Sequence, residues 1–435
     1  MKQALITLLL LISILTTFTQ QTSNFIATDI PNFWTAYDKI RHTTDSVAQY
    51  NYINTLYIDK GTPGLKAIMQ ARSYTAKSFV DAINNYPLFW ASIRNNTQRA
   101  GDYVKAIQTD VDKIKLVYPE LKPADIYFTI GALRTGGTTL NGMVLIGSEI
   151  ALADKKTVTT EFPERMSHLR PYFDTNPIET IVFGNVHEYI HTQQQTTICS
   201  TLLGQSVMEG VAEFIAVKAT GKQSTLPAIS YGKQNFEQVR LRFIEQMFNP
   251  ASGFWLYSNA TNEFNTRDLG YYTGYEICER YYNKAAYKKR AVKEMIELDY
   301  NDLEALKKFV DSSGYFGKPT IELEQLFEST RPKVMGMMEF ANGAQNVSPA
   351  HTTLTLQFSE KLDPRFRSFE LGPLGEGNLL RLQQFRGFAD DGKSASVDIE
   401  LKPNRQYQII IGAGFRNEKG ITLKPYLIDF KTGPM

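Results

Sequence analysis

The chain has 435 residues, enough for two or three domains, and its 47 Lys and Arg against 45 Asp and Glu leave a formal charge of +2. So even a balance sets up no long-range field toward nucleic acid or an anionic membrane, and no nucleic-acid partner is expected. Hydrophobic content of 43% is that of a globular protein, while 2 Cys and 5 His exclude a disulfide framework and a Cys-rich zinc module and leave few imidazoles for any metal site.

Residues 1–20 (MKQALITLLLLISILTTFTQ) carry one charge, at Lys2, then about a dozen apolar residues, then small and polar ones. This is the pattern of a secretory signal peptide, since the apolar run falls short of the ~20 residues that span a bilayer. No Cys precedes Cys199, so an acceptor for lipid attachment is missing, and the mature protein is expected to be secreted or periplasmic without a transmembrane anchor. In such a compartment Cys199 and Cys278 could pair, or remain two buried thiols.

Residues 29–118 are helical in character, with apolar positions three and four apart, as in Phe33, Trp34, Tyr37 and Ile40. Interruptions fall at 61–64 and around Pro87. The period changes at 126–130 (IYFTI), which reads as a strand. Residues 134–141 (RTGGTTLN), the Asn141-Gly142 turn and 143–146 (MVLI) then read as a hairpin. A small antiparallel or mixed sheet is expected, with the Gly/Thr-rich segment as its weaker edge strand.

Asn176-Pro177-Ile178-Glu179 predicts a helix start, with a capping Asn, Pro at the first helical position and Glu three residues after the cap. That helix runs to about Gln193. A second is expected over 202–219, stopped by Gly221, with others near 234–248, 268–288, 290–297 and 301–310. Beyond Lys333 the pattern alternates (Leu354, Leu356, Phe358; Val397, Ile399, Leu401), and about seven short strands predict a β-sandwich after an α+β domain. The boundary is expected near 331–340.

Within the 177–193 helix lies His187-Glu188-Tyr189-Ile190-His191. Spacing of i and i+4 puts both imidazoles on one face, within reach of a single cation at ~2.0–2.1 Å, and sets Glu188 beside it as a general base for water. A catalytic zinc needs a third protein ligand. The positions where metzincin spacing would put a glycine and a further histidine hold Gln194 and Thr197, and the next histidine is His351. The ligand is therefore expected to be an acid on the following helix, where Glu209 and Glu213 share a face. The assignment preferred is Glu209 on the zinc and Glu213 behind it, accepting an N–H from a ligand histidine; the reverse stays open.

HEYIH followed by EGVAE resembles the gluzincin branch of zinc metallopeptidases, where the first acid of the second motif is the third ligand and the acid four residues on supports a histidine. The IYFTIG…GGTTLNGMVLIGSE hairpin and the GYYTGYEICERYY helix resemble a group of predicted Zn-dependent proteases known chiefly from bacterial sequences. The resemblance covers about 30–310. It implies a zincin-like domain over 21–333, mostly helical with a small sheet, in which an edge strand, here 136–140 with Gly136, Gly137 and Thr138, holds the substrate backbone by strand addition. It also makes a tyrosine of the later helix a plausible oxyanion donor. Tyr271 and Tyr275 are i and i+4 there, so spacing does not choose between them, and Arg267 and His168 are further candidates. The segments SPAHTTLTLQFSEKLDP and LKPNRQYQIIIGAGFRNEKG resemble bacterial Ig-like domains, implying an Ig-like sandwich over 334–435 and a cell-surface or envelope partner.

The expectation is a secreted or periplasmic zinc peptidase acting on peptide or protein substrates. A non-catalytic envelope or binding protein on the same scaffold, and a zinc amidase acting on a cell-wall amide, are the alternatives.

Overall fold

The computed structural model describes residues 24–250, 255–257 and 262–434. The expected signal peptide lies outside the described residues. The chain is α+β and divides into two compact units, Met1–Gly101 with Leu121–Leu152, and Asp102–Glu120 with Ala153–Met435.

The first unit combines six described α-helices (Asp29–Arg41, Ser46–Ile53, Pro63–Arg72, Ala76–Asn85, Pro87–Gln98 and the short Ser148–Ala151) with a sheet of order β1-β2-β4-β3. Here β1 is Phe25–Ile26, β2 Ile126–Thr129, β3 Gly137–Leu140 and β4 Met143–Gly147. β1 and β4 flank β2 in parallel, so the sheet is mixed rather than purely antiparallel, and β3 pairs antiparallel with β4 at the edge. Asn141 and Gly142 turn the hairpin with φ of 51° and 71°, as a tight two-residue turn requires. Ahead of β3, buried Glu149 accepts the N–H groups of Gly131 (2.8 Å) and Leu133 (3.1 Å), bracing a loop in which Leu133 has φ 64°.

Three helices of the second unit carry its chemistry. The first, Pro177–His191, is called here the His helix; the second, Leu202–Thr220, the Glu helix; the third, Leu269–Lys284, the Tyr helix. The His helix begins at Pro177 as expected, but Asn176 lies in the left-handed region (φ 64°) and makes no side-chain cap, so the expected capping interaction is not formed. Its N-terminus instead follows a turn in which Asn176 N–H bonds Phe173 and Glu179 N–H bonds the Asn176 carbonyl. The Glu helix is capped by the Thr201 hydroxyl and stopped by Gly221 at φ 69°. It is apolar nearly all round and almost wholly buried, as a central helix must be.

The Glu and Tyr helices cross at glycines. A Cβ on Gly210 would stand 2.0 Å from the carbonyl carbon of Gly274, and one on Gly274 would stand 1.8 Å from the Ser206 carbonyl oxygen. Among the other helices of this unit, Leu169–Asp174, which precedes the His helix, Pro227–Gln234 and Thr320–Thr330 are not expected from the sequence.

From Val334 onward the regular elements, apart from one short 3-10 turn, are strands. β5 (Val334–Met337), β6 (Thr353–Phe358), β8 (Leu382–Phe388) and β9 (Ser394–Ile399) form a sheet of order β5-β6-β9-β8. β7 (Phe369–Glu370), β10 (Gln406–Ile411) and β11 (Tyr426–Lys431) form a second of order β11-β10-β7. Leu354, Leu356, Val397, Ile409 and Ile428 belong to one apolar core that this β-rich region keeps for itself. Asn249 ties the region to the Glu helix. Its backbone carbonyl accepts the first helical N–H, from Leu202 (2.8 Å), and its side chain bonds Gly420 and Thr422.

Candidate metal centre

His187 and His191 face the Glu helix from adjacent turns of the His helix, and Glu209 meets them there. His187 Nε2 and His191 Nε2 are 3.1 Å apart, and Glu209 Oε2 is 3.3 Å from the first and 3.1 Å from the second. Three bonds of ~2.0–2.1 Å at tetrahedral angles put ligand atoms about 3.3 Å apart, so this triangle fits one zinc ion.

The outer nitrogens fix which lone pairs face inward. The Met208 carbonyl can only accept, so Gln194 Nε2, 2.9 Å away, donates to it, which turns Gln194 Oε1 toward His191 Nδ1 at 2.7 Å. His191 Nδ1 therefore carries a hydrogen, and its Nε2 lone pair is free for a cation. His187 Nδ1 likewise donates to Glu213 Oε2 at 2.8 Å, and the other Glu213 oxygen accepts from the Ser224 hydroxyl. An imidazole whose far nitrogen is held this way is a stronger and better aimed ligand.

Electrostatics agree that the cluster demands positive charge. Burial works against a charged His187, yet Glu209 and Glu213 hold its pKa well above the ordinary histidine value. Burial would also raise the Glu209 carboxyl, but the His191 and His187 imidazoles hold it well below the usual carboxylate range. Four buried ionisable groups on otherwise apolar helices are costly unless paired or metal-bound. A His-His-Glu group is thus positioned to bind a metal ion, its ligand atoms all within 4.8 Å of one another.

Around this group the structure gathers Glu188, Tyr257 and Tyr271. Burial raises the pKa of Tyr172, Tyr257 and Tyr271, and the Glu188 charge adds to the rise in each. The Tyr271 ring lies 6.1 Å from that of His187, and its hydroxyl makes no hydrogen bond among the described residues. Tyr275, one turn on, is directed elsewhere: its hydroxyl donates to Glu279 (3.2 Å) and its ring packs edge-on to Phe214. Arg267 pairs with Asp268 at 3.5 Å, and His168 is half-buried, its pKa lowered by burial and by the Arg267 charge. Gly137 and Thr138 open β3, with Gly136 just before it, in the first unit. Cys199 and Cys278 are both free, burial pushing the Cys199 thiol up to about 12 and that of Cys278 higher still.

Two residues of the centre escape sequence reasoning. Gln194 enters it only as a position lacking a histidine, although an amide three residues past the second ligand is within reach of that ligand's outer nitrogen. Tyr257, whose hydroxyl donates to Glu209 Oε1, has no spacing to mark it.

Residues 154–304 match the family described as "Predicted Zn-dependent protease (DUF2268)", about a third of the chain and the part that holds all three donor residues. No curated protein matches the sequence. Among solved structures, the chain is similar to that of the S-layer protein rSbsC at 13% identity and TM-score 0.18, over 93% of this chain and 45% of that one. It is also similar to the N-terminal part of the bacterial S-layer protein SbsC at 12% identity and TM-score 0.18, over 93% of this chain and 77% of that one. The chain thus spans less than half of the first of these.

Proposed function

We propose that the protein is a zinc-dependent peptidase, with His187, His191 and Glu209 as the metal ligands. The observation that carries this reading is the convergence of two Nε2 lone pairs and one carboxylate oxygen, with both Nδ1 atoms held by acceptors. Zinc bound there would act as a Lewis acid toward the scissile carbonyl and the attacking water.

The chain's own groups divide the remaining work. Glu188 takes the proton of the attacking water and returns it to the leaving nitrogen, a role that its place next to His187 on the His helix supports. Tyr271, with a hydroxyl engaged by no described group, donates to the oxyanion. Tyr275 is the weaker candidate, since its hydroxyl is bonded to Glu279. Glu213 and Gln194 keep the imidazoles aimed. The edge position of β3, preceded by Gly136, supports its use with Gly137 and Thr138 to hold an extended chain by strand addition.

The first twenty residues support export to the periplasm or beyond. No helix among the described residues is long and apolar enough to cross a membrane. Beyond Val334, four strands and three strands in two sheets support an Ig-like module that docks to a surface or envelope partner. The test is an unbiased peptide digest by zinc-loaded protein. Zinc-dependent cleavage at defined bonds is expected, and one bound zinc with no cleavage of any peptide would overturn the reading.

A further inference from the structure

Tyr257 has no part in the chemistry described above, yet the structure holds it firmly. It lies at φ 61°, a conformation that non-glycine side chains rarely adopt. Two bonds pin its segment to the start of the Tyr helix: the Tyr257 N–H donates to Asp268 Oδ1 at 2.8 Å, and Gly270 N–H donates to the Trp255 carbonyl at 3.0 Å. Its ring stands edge-on to Tyr271, 6.3 Å away.

The direction of its hydrogen bonds follows from its neighbours. Cys199 N–H can only donate, and it donates to Gln205 Oε1 at 2.9 Å. Gln205 Nε2 therefore faces the other way and donates to the Tyr257 hydroxyl oxygen at 2.9 Å. That oxygen has one hydrogen, and it is given to Glu209 Oε1. Glu209 Oε2 is left as the oxygen that faces His187 and His191.

We infer that Tyr257 is a positioning residue that makes Glu209 a one-oxygen metal ligand. The inference rests on the reading of Glu209 as a ligand. A carboxylate with both oxygens free can rotate or bind a cation through both; one held at Oε1 presents a single, fixed donor and keeps the remaining position of the metal for substrate and water. Gln205 sits one turn before Glu209 on the same helix, so this orientation is built from the Glu helix outward.

The test compares wild type with Tyr257→Phe, which keeps the ring and removes only the hydroxyl. Zinc affinity is measured by competition with a chelator, and coordination by the visible spectrum of the cobalt(II)-substituted protein, which weakens as coordination rises from four to five. Tyr257→Phe is expected to bind zinc about 10–100-fold more weakly and to show a weaker cobalt spectrum. Affinity and cobalt spectrum equal to wild type would overturn the inference. A wild type that takes up no zinc would overturn the metal reading itself, a separate and recognisable failure.

Discussion

The backbones of Gly210 and Gly274 touch where the Glu helix crosses the Tyr helix, so closely that a Cβ on Gly210 would stand 2.0 Å from the Gly274 carbonyl carbon and 2.3 Å from the Tyr275 nitrogen. Tyr271, about one turn before Gly274 on the Tyr helix, has its ring 6.1 Å from that of His187. Helix propensity alone predicts that Gly210→Ala stabilises the chain by ~1 kcal/mol. The crossing predicts the opposite, a loss of at least about 1–3 kcal/mol from overpacking. The sign of the shift in the denaturation midpoint decides.

Gln194 gives a prediction about a neutral group. Gln194→Ala should weaken zinc binding about 10–100-fold, because the His191 ring loses the acceptor that fixes its tautomer. Gln195→Ala next door, which removes only an exposed bond to the Glu297 carbonyl, should leave affinity unchanged. Chelator competition on the two variants measures both.

Glu149 predicts a pH dependence in the first unit. Burial pushes its carboxyl from 4.5 up to about 7, despite the two N–H groups that favour its charged form. A folded-state pKa above the unfolded one means that its contribution is fully present below about pH 4.5 and is lost as pH rises through about 7. At 1.36 kcal/mol per unit, the loss is on the order of 3 kcal/mol. A carbon-13 titration of the Glu149 carboxyl should show a midpoint near 7; a midpoint at the ordinary value would refute the assignment.

Asn249, buried between the Glu helix and the β-rich region, should be a stability position. Its side chain donates to the Gly420 carbonyl (2.8 Å) and accepts from the Thr422 N–H (3.1 Å) and hydroxyl (3.0 Å). Asn249→Ala leaves those groups buried and unpaired, at a cost on the order of 3 kcal/mol. Chemical denaturation followed by tryptophan fluorescence, with Trp255 nearby, would register it.

The ligand pair was legible because helical spacing converts HEYIH into two imidazoles on one face, and because Pro177 marks the helix independently. The β3–β4 hairpin was legible from Asn141-Gly142, since few residues accept the turn's positive φ. What escaped depends on contacts distant in sequence. Tyr271 and Tyr275 share a helix face, and only the neighbouring His187 and Glu279 separate them. Gln194 and Tyr257 act through single hydrogen bonds that leave no periodic trace, and the glycines at 210 and 274 look like helix weaknesses until the partner backbone is seen. Asn176 shows the converse, a local capping pattern overridden by the turn from the preceding helix.

In the proposed mechanism Glu188 performs proton transfer beside a metal held by His187, His191 and Glu209. The most direct test is Glu188→Gln, assayed for bound zinc and for peptide cleavage on the same sample. Zinc near one per chain, as in wild type, with cleavage abolished is the expected result; cleavage at the wild-type rate in the zinc-loaded variant would overturn the mechanism.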